Sequence, residues 1–172
     1  NLQEKRIDAH GDFVPFAELL PFKGFARKIY DGAETKTPTF HGVVIRKDFG
    51  EKYPEIVLAY INALMEANAW MRKNPKLAAQ VATRWIPRLK QEIAEAAMQF
   101  NIQQADRRLS ANNYRAMWEA LDRLHRLGFL RATFDVNKHF EPKHMLKVMQ
   151  DHPALFADLP PIPAEAAIGP GY

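Results

Sequence analysis

From Pro54 onward apolar residues return on a helical period, and this constrains the chain more than any single motif. Ile56, Val57, Tyr60, Ile61, Leu64, Met65 and Met71 recur mostly at three- and four-residue steps. That spacing places them on one stripe of an α-helix. Pro54 suits a first helical turn, where its missing N–H costs nothing, and Glu51 and Glu55 lie near the positive end of the helix dipole. The pattern predicts one continuous helix from Tyr53 to Lys73, ended at Asn74-Pro75. Pro75 opens a second helix with Leu77, Val81 and Trp85 expected inward, stopped near Pro87. Leu89, Ile93, Ala97 and Phe100 give a third stripe. Ser110 can cap a fourth helix carrying Tyr114, Met117, Trp118, Leu121 and Leu124, with Gly128 as its stop. A short helix is expected from Lys143 to Gln150. Beyond it Pro160, Pro161, Pro163 and Pro170 predict an extended surface course for residues 159–172.

The first 50 residues read differently. Arg6-Ile7-Asp8-Ala9-His10 and residues 26–30 are short β-like runs, the second closed by the turn pair Asp31-Gly32. Between them Pro15 can open a helical turn and Pro21 can stop it. Val43-Val44-Ile45 is a compact β-branched run of the kind that suits a strand buried on both faces of a parallel sheet. Three short strands with five helices make a poor autonomous α/β domain, because so small a sheet leaves edges open and offers those helices little area. The expectation is therefore a fragment, with further strands upstream of Asn1.

Composition narrows the function classes. The chain has 172 residues, 47% hydrophobic and 26% charged, which bounds it to one globular domain's worth of core. It holds no stretch of about 20 apolar residues such as a membrane-spanning helix needs. Its start shows no signal-peptide pattern, which bears on secretion only if Asn1 is the true start. Cysteine is absent, so disulfides and thiolate metal sites are excluded and the compartment stays open on this ground. The net charge is +4, with cations such as Arg88 and Lys90 set near Glu92 and Glu95. No Lys/Arg run with interleaved aromatics appears, which argues against a nucleic-acid partner.

Three stretches carry a family resemblance. The first is Leu2-Gln3-Glu4-Lys5-Arg6-Ile7-Asp8-Ala9, followed by Phe13-Val14-Pro15-Phe16; Lys5 stands where the family has glycine. The second is Gly24-Phe25-Ala26-Arg27-Lys28-Ile29-Tyr30-Asp31-Gly32. The third joins Val43-Val44-Ile45 and Phe49 to Tyr53-Pro54-Glu55-Ile56-Val57, then Ala67-Asn68-Ala69-Trp70 and Asn74-Pro75, with a late Leu127-Gly128-Phe129-Leu130. In order and spacing these resemble the nitrate/sulfonate/taurine-type solute-binding proteins of ABC importers, over roughly residues 2–140. The resemblance implies an α/β fold, the C-terminal half of a two-lobed type II periplasmic binding protein. It implies the end of the second lobe at residues 1–40, a crossing strand and helices completing the first lobe at 41–158, and a Pro-rich tail at 159–172. It also implies an extracytoplasmic bacterial protein, periplasmic or membrane-anchored, that passes a small solute to membrane permease subunits, with no cofactor.

Under that reading the ligand-binding candidates are His10, Asp12, Phe13, Phe40 and His41. The first three follow a strand's carboxyl end, where open α/β sheets bind ligands, and the last two precede the crossing strand. An imidazole can donate to an anion's oxygens and Phe13 can wall an apolar portion. Asp12 would repel an anion unless it orients His10; the plainer reading is that Asp8 or Asp12 caps the next helix. His125, His139, His144 and His152 lack the spacing of a zinc helix, so no metal is expected. Trp70, Trp85 and Trp118 fall on helical stripes and are expected in cores. No nucleophile elbow or phosphate loop is present, so the chain is not expected to be an enzyme. The alternatives are an enzyme on the same fold, of the thiamine-pyrimidine-synthase or desulfinase kind, and a helical interaction module.

Overall fold

The computed structural model describes residues 1–13, 16–30, 34, 42–103 and 106–168. Among these the secondary structure is entirely helical, without a strand. The expected α/β fold is therefore corrected. The reason is visible at residues 42–46, which run without hydrogen-bonded secondary structure. Val44 is 97% exposed and Val43 half exposed. Only Ile45 finds cover: a Cβ on Gly50 would lie 3.8 Å from its Cγ2. β-branched side chains favour extended backbone, but a strand exists only when another strand takes up its N–H and C=O groups. Residues 26–30 tell the same story, with Ile29 and Tyr30 largely in solvent. The turn pair Asp31-Gly32 lies outside the described residues apart from its flank.

Seven α-helices are described: α1 Phe16–Phe22, α2 Lys47–Lys52, α3 Pro54–Lys73, α4 Pro75–Trp85, α5 Gln91–Gln103, α6 Ala111–Arg126 and α7 Lys143–Asp151. Their ends follow local chemistry. Proline opens α3 and α4. Before α6, Asn113 Oδ1 accepts the Ser110 amide at 2.7 Å and the Ser110 hydroxyl at 3.2 Å. After it Gly128 takes φ +77°, its N–H donating to the His125 carbonyl and that of Phe129 to Leu124, both at 3.0 Å. A side chain there would strain the left-handed conformation that lets the helix turn off. Pro21 does not stop α1; it sits in the last turn, and Gly24 at φ +74° ends the helix.

The chain divides into two compact units. The first comprises Asn1–Asp31 and Ala67–Asp106, the second Gly32–Glu66 and Arg107–Tyr172, so α3 contributes to both. In the first unit α4 packs on α5, and α1 also lies against α5. Their core is Ala78 and Ala79 of α4 with Ala94 and Met98 of α5, bordered by Met71, Leu89 and Ile102. Ile93 and Ala97 are buried as expected. The inward placement of Leu77, Val81 and Trp85 is not found: they are 50%, 40% and 82% exposed. Small side chains let two helix axes approach closely, and that contact turns the larger row outward.

The second unit is built on α6. Tyr114, Leu121 and the fully buried Val136 form its core, with Leu109, Met117, Leu130, Phe140 and Ile168 against it. The Tyr114 and Phe140 rings stack at 4.6 Å. Val148 of α7 is buried beside the 3₁₀ turn Pro153–Phe156. In the Pro-rich stretch a 3₁₀ turn at Ala164–Ala166 packs on α6, Ile168 enters the core, and Arg108 donates to the Pro160 carbonyl at 2.5 Å. Trp70 and Trp118 are both partly exposed rather than enclosed. Among the described residues no helix is long and apolar enough to cross a membrane.

Candidate functional site

The best-formed polar arrangement among the expected site residues lies ahead of α1. Lys5 closes a tight turn, donating its N–H to the Leu2 carbonyl at 3.0 Å, and holds φ +56°. A left-handed backbone is one that glycine adopts more readily than lysine. Arg6 pairs with Glu4 at 3.1 Å on the same turn. The chain then runs irregularly to Asp12. Asp12 Oδ1 accepts the Phe13 amide at 2.9 Å, and Oδ2 lies 3.1 Å from His10 Nε2. The Phe13 carbonyl accepts the Ala17 amide at 3.1 Å, which begins α1.

Asp12 therefore bonds the adjoining Phe13 amide, ahead of α1, and the imidazole of His10. The Phe13 amide first, and the His10 ring second, hold its carboxyl below the ordinary 3.8. An ionised Asp12 requires a hydrogen on His10 Nε2, which leaves Nδ1 for a ligand. Neutral imidazole offers an acceptor there; imidazolium offers a donor and cancels the carboxylate charge. His10 and Asp12 side chains keep 42% and 26% of their surface, and Phe13 is 73% exposed. The His10–Asp12 pair is thus open to solvent, and so is the Phe13 side chain. Phe40 and His41 lie outside the described residues.

Two features escaped the sequence reading. The first is an open depression of about 340 Å³ lined by Pro75, Lys76, Glu95, Gln99 and Ile102. It brings one cation and one carboxylate together at the start of α4. The second is the charge pattern of residues 67–91, which hold six cations and no carboxylate. Reading Arg88 and Lys90 as balanced by Glu92 and Glu95 hides it. Counting acids along the helix, rather than around it, would have revealed it.

Among the described residues no group of three or more His, Asp or Glu side chains is placed to hold a metal ion. Among the described residues the hydrogen-bond partner given to the His10 ring is the Asp12 carboxylate, which is not a group an imidazole activates as a nucleophile. No protein-family model, curated protein or solved structure matches the chain.

Proposed function

We propose that the chain takes part in capturing a small anionic solute, as the extracytoplasmic binding component of a bacterial ABC importer of the nitrate/sulfonate/taurine type does, and in handing it to the membrane permease. The ordered signature between Leu2 and Leu130 supports this reading. The observation that carries it further is the imidazole of His10, held by Asp12, whose other oxygen accepts the amide of the exposed Phe13. The described residues form no sheet, so the strand-end argument for this site falls away and the proposal rests on the His10–Asp12 pair and the resemblance alone.

The chemistry is simple. Protonated His10 donates Nδ1–H to a sulfonate, nitrate or carboxylate oxygen, while Asp12 keeps the ring in place through Nε2. A charge-assisted bond of this kind is shorter and stronger than a neutral one. The Phe13 ring covers an apolar part of an organic solute. Binding strengthens as the imidazole gains its proton.

Calorimetric titration of the protein with taurine, an alkanesulfonate and nitrate, at about pH 5.5 and about pH 8, tests the reading. At the lower pH one of these anions is expected to bind more tightly, and His10→Ala to weaken it about 5- to 150-fold. Equal affinity in wild type and His10→Ala would remove the site from this loop.

A second reading, a helical interaction module, is favoured by the large apolar side chains left exposed in each unit, such as Trp85 in the first and Val44 and Phe129 in the second. That reading expects no anion binding, and association that rises with protein concentration in analytical ultracentrifugation.

A further inference from the structure

The outer face of α4 carries two parallel rows. Leu77, Val81 and Trp85 repeat at four-residue steps, and so do Lys76, Gln80 and Arg84. Residues four apart lie above one another on a helix, so each row runs about 12 Å along the axis. All six side chains face solvent, Trp85 at 82% exposure. The opposite face, Ala78 and Ala79, is the one packed on α5.

Along the sequence the charge of this stretch is one-sided, although Glu95 of α5 lies by Lys76 at its start. Residues 67–91 contain no carboxylate; the nearest in sequence are Glu66 before the stretch and Glu92 after it. Across α5, Glu95 shares the depression with Lys76. Among the described residues no ion pair engages Lys76, Arg84 or Arg88. Trp85 ends α4 with Arg84 before it and Arg88 three positions on, at φ +65°.

We propose that this face of α4 lies on an anionic membrane surface. The chemistry complements a lipid headgroup layer at each point. An indole is amphipathic and settles at the headgroup level, where its N–H meets water and its ring meets acyl chain. Leu77 and Val81 extend the apolar row to shallow depth. Lys76 and Arg84 lie along one side of that row, where long cationic side chains reach phosphate oxygens while their stems cover apolar surface. A flat anionic layer needs no shaped counterpart, which suits a single short row. A second copy of the chain suits it badly, since pairing the faces would bring the two cation rows together. The proposal stands apart from the solute reading, because no residue of α4 belongs to that site.

The test uses the full chain with vesicles of about 30% phosphatidylglycerol in phosphatidylcholine, against pure phosphatidylcholine. Co-sedimentation is expected with the anionic vesicles alone, and its loss at about 0.5 M NaCl. In a Trp70→Phe/Trp118→Phe protein the Trp85 emission should shift to the blue and be quenched by brominated acyl chains. Lys76→Glu/Arg84→Glu should weaken partition about tenfold or more, and Trp85→Ser severalfold. All are exposed positions, and circular dichroism checks that the variants fold; the quenching measurement stands without the charge reversals. Failure to bind anionic vesicles overturns the proposal, and so does unquenched Trp85 in the bound protein. Dimerisation through this face without lipid binding assigns it to a second copy. Equal binding to polyglutamate with no Trp85 shift assigns it to an acidic protein. Either result overturns the membrane.

Discussion

Ala79 is completely buried against α5, while Trp85, six residues further along α4, is 82% exposed. One helix thus offers its smallest side chains to its neighbour and its largest to solvent. The two positions should respond oppositely to substitution. Ala79→Leu forces a large side chain into a close helix contact and is expected to cost about 1–3 kcal/mol. Trp85→Ser removes no internal packing and should stay within about 0.5 kcal/mol. Urea unfolding followed by far-ultraviolet circular dichroism measures both. A larger loss at Trp85 than at Ala79 would mean that α4 packs by its other face.

The larger buried side chains carry more of each unit's core. Ile93 in the first unit and Val136 in the second have almost no accessible surface. Ile93→Ala should cost about 2–5 kcal/mol through lost transfer energy and the cavity left behind. Val136→Ala is a smaller truncation of the same kind. Hydrogen exchange on each variant should show loosening concentrated in the unit that holds the substitution.

Two left-handed positions predict opposite signs. Gly128 at φ +77° has no atom within 4 Å of where a Cβ would stand, so Gly128→Ala tests backbone strain without a clash. A loss of about 1 kcal/mol is expected. Lys5 already bears that strain at φ +56°. Lys5→Gly removes it at some cost in unfolded-chain entropy, and a net gain of up to about 1 kcal/mol is expected. Thermal melting of the two variants reads both signs.

Asp12 predicts a pH dependence. Its folded pKa lies below the ordinary 3.8, chiefly through the Phe13 amide and then through His10. A depressed acid favours the folded state above its unfolded pKa, and that contribution is lost as pH falls through the folded value. The stability advantage of wild type over Asp12→Asn should therefore be constant above about pH 5 and shrink below 3.8. Carboxyl carbon NMR should place the Asp12 midpoint below 3.8, and His10→Ala should raise it only part of the way, because the larger cause remains.

Much of the helical half was legible because its signals are local. The helix expected from Tyr53 to Lys73 spans Pro54–Lys73, and the cap at Ser110 and the stop at Gly128 lie where they were read. Each depends on a proline ring, a side-chain oxygen or a missing Cβ acting within a few residues. Of the candidate site residues, His10 and Asp12 hydrogen-bond to one another and Asp12 accepts the Phe13 amide, contacts that follow from their lying within four positions of one another. Phe40 and His41 fall outside the described residues.

The sequence by itself determined where α3 and α4 open and where α6 is capped and stopped, because capping and backbone restriction are settled within one turn. Only the tertiary structure decided which faces those helices bury. α4 has an alanine face and a Leu77–Val81–Trp85 row, and hydrophobicity alone favours burying the larger one. The alanines of α5 reversed that choice by permitting a closer approach. Residues 42–46 needed a second strand to become one, and Val44 stands in solvent without it. Burial and strand pairing are properties of what lies across the gap, and no spacing along one chain segment contains them.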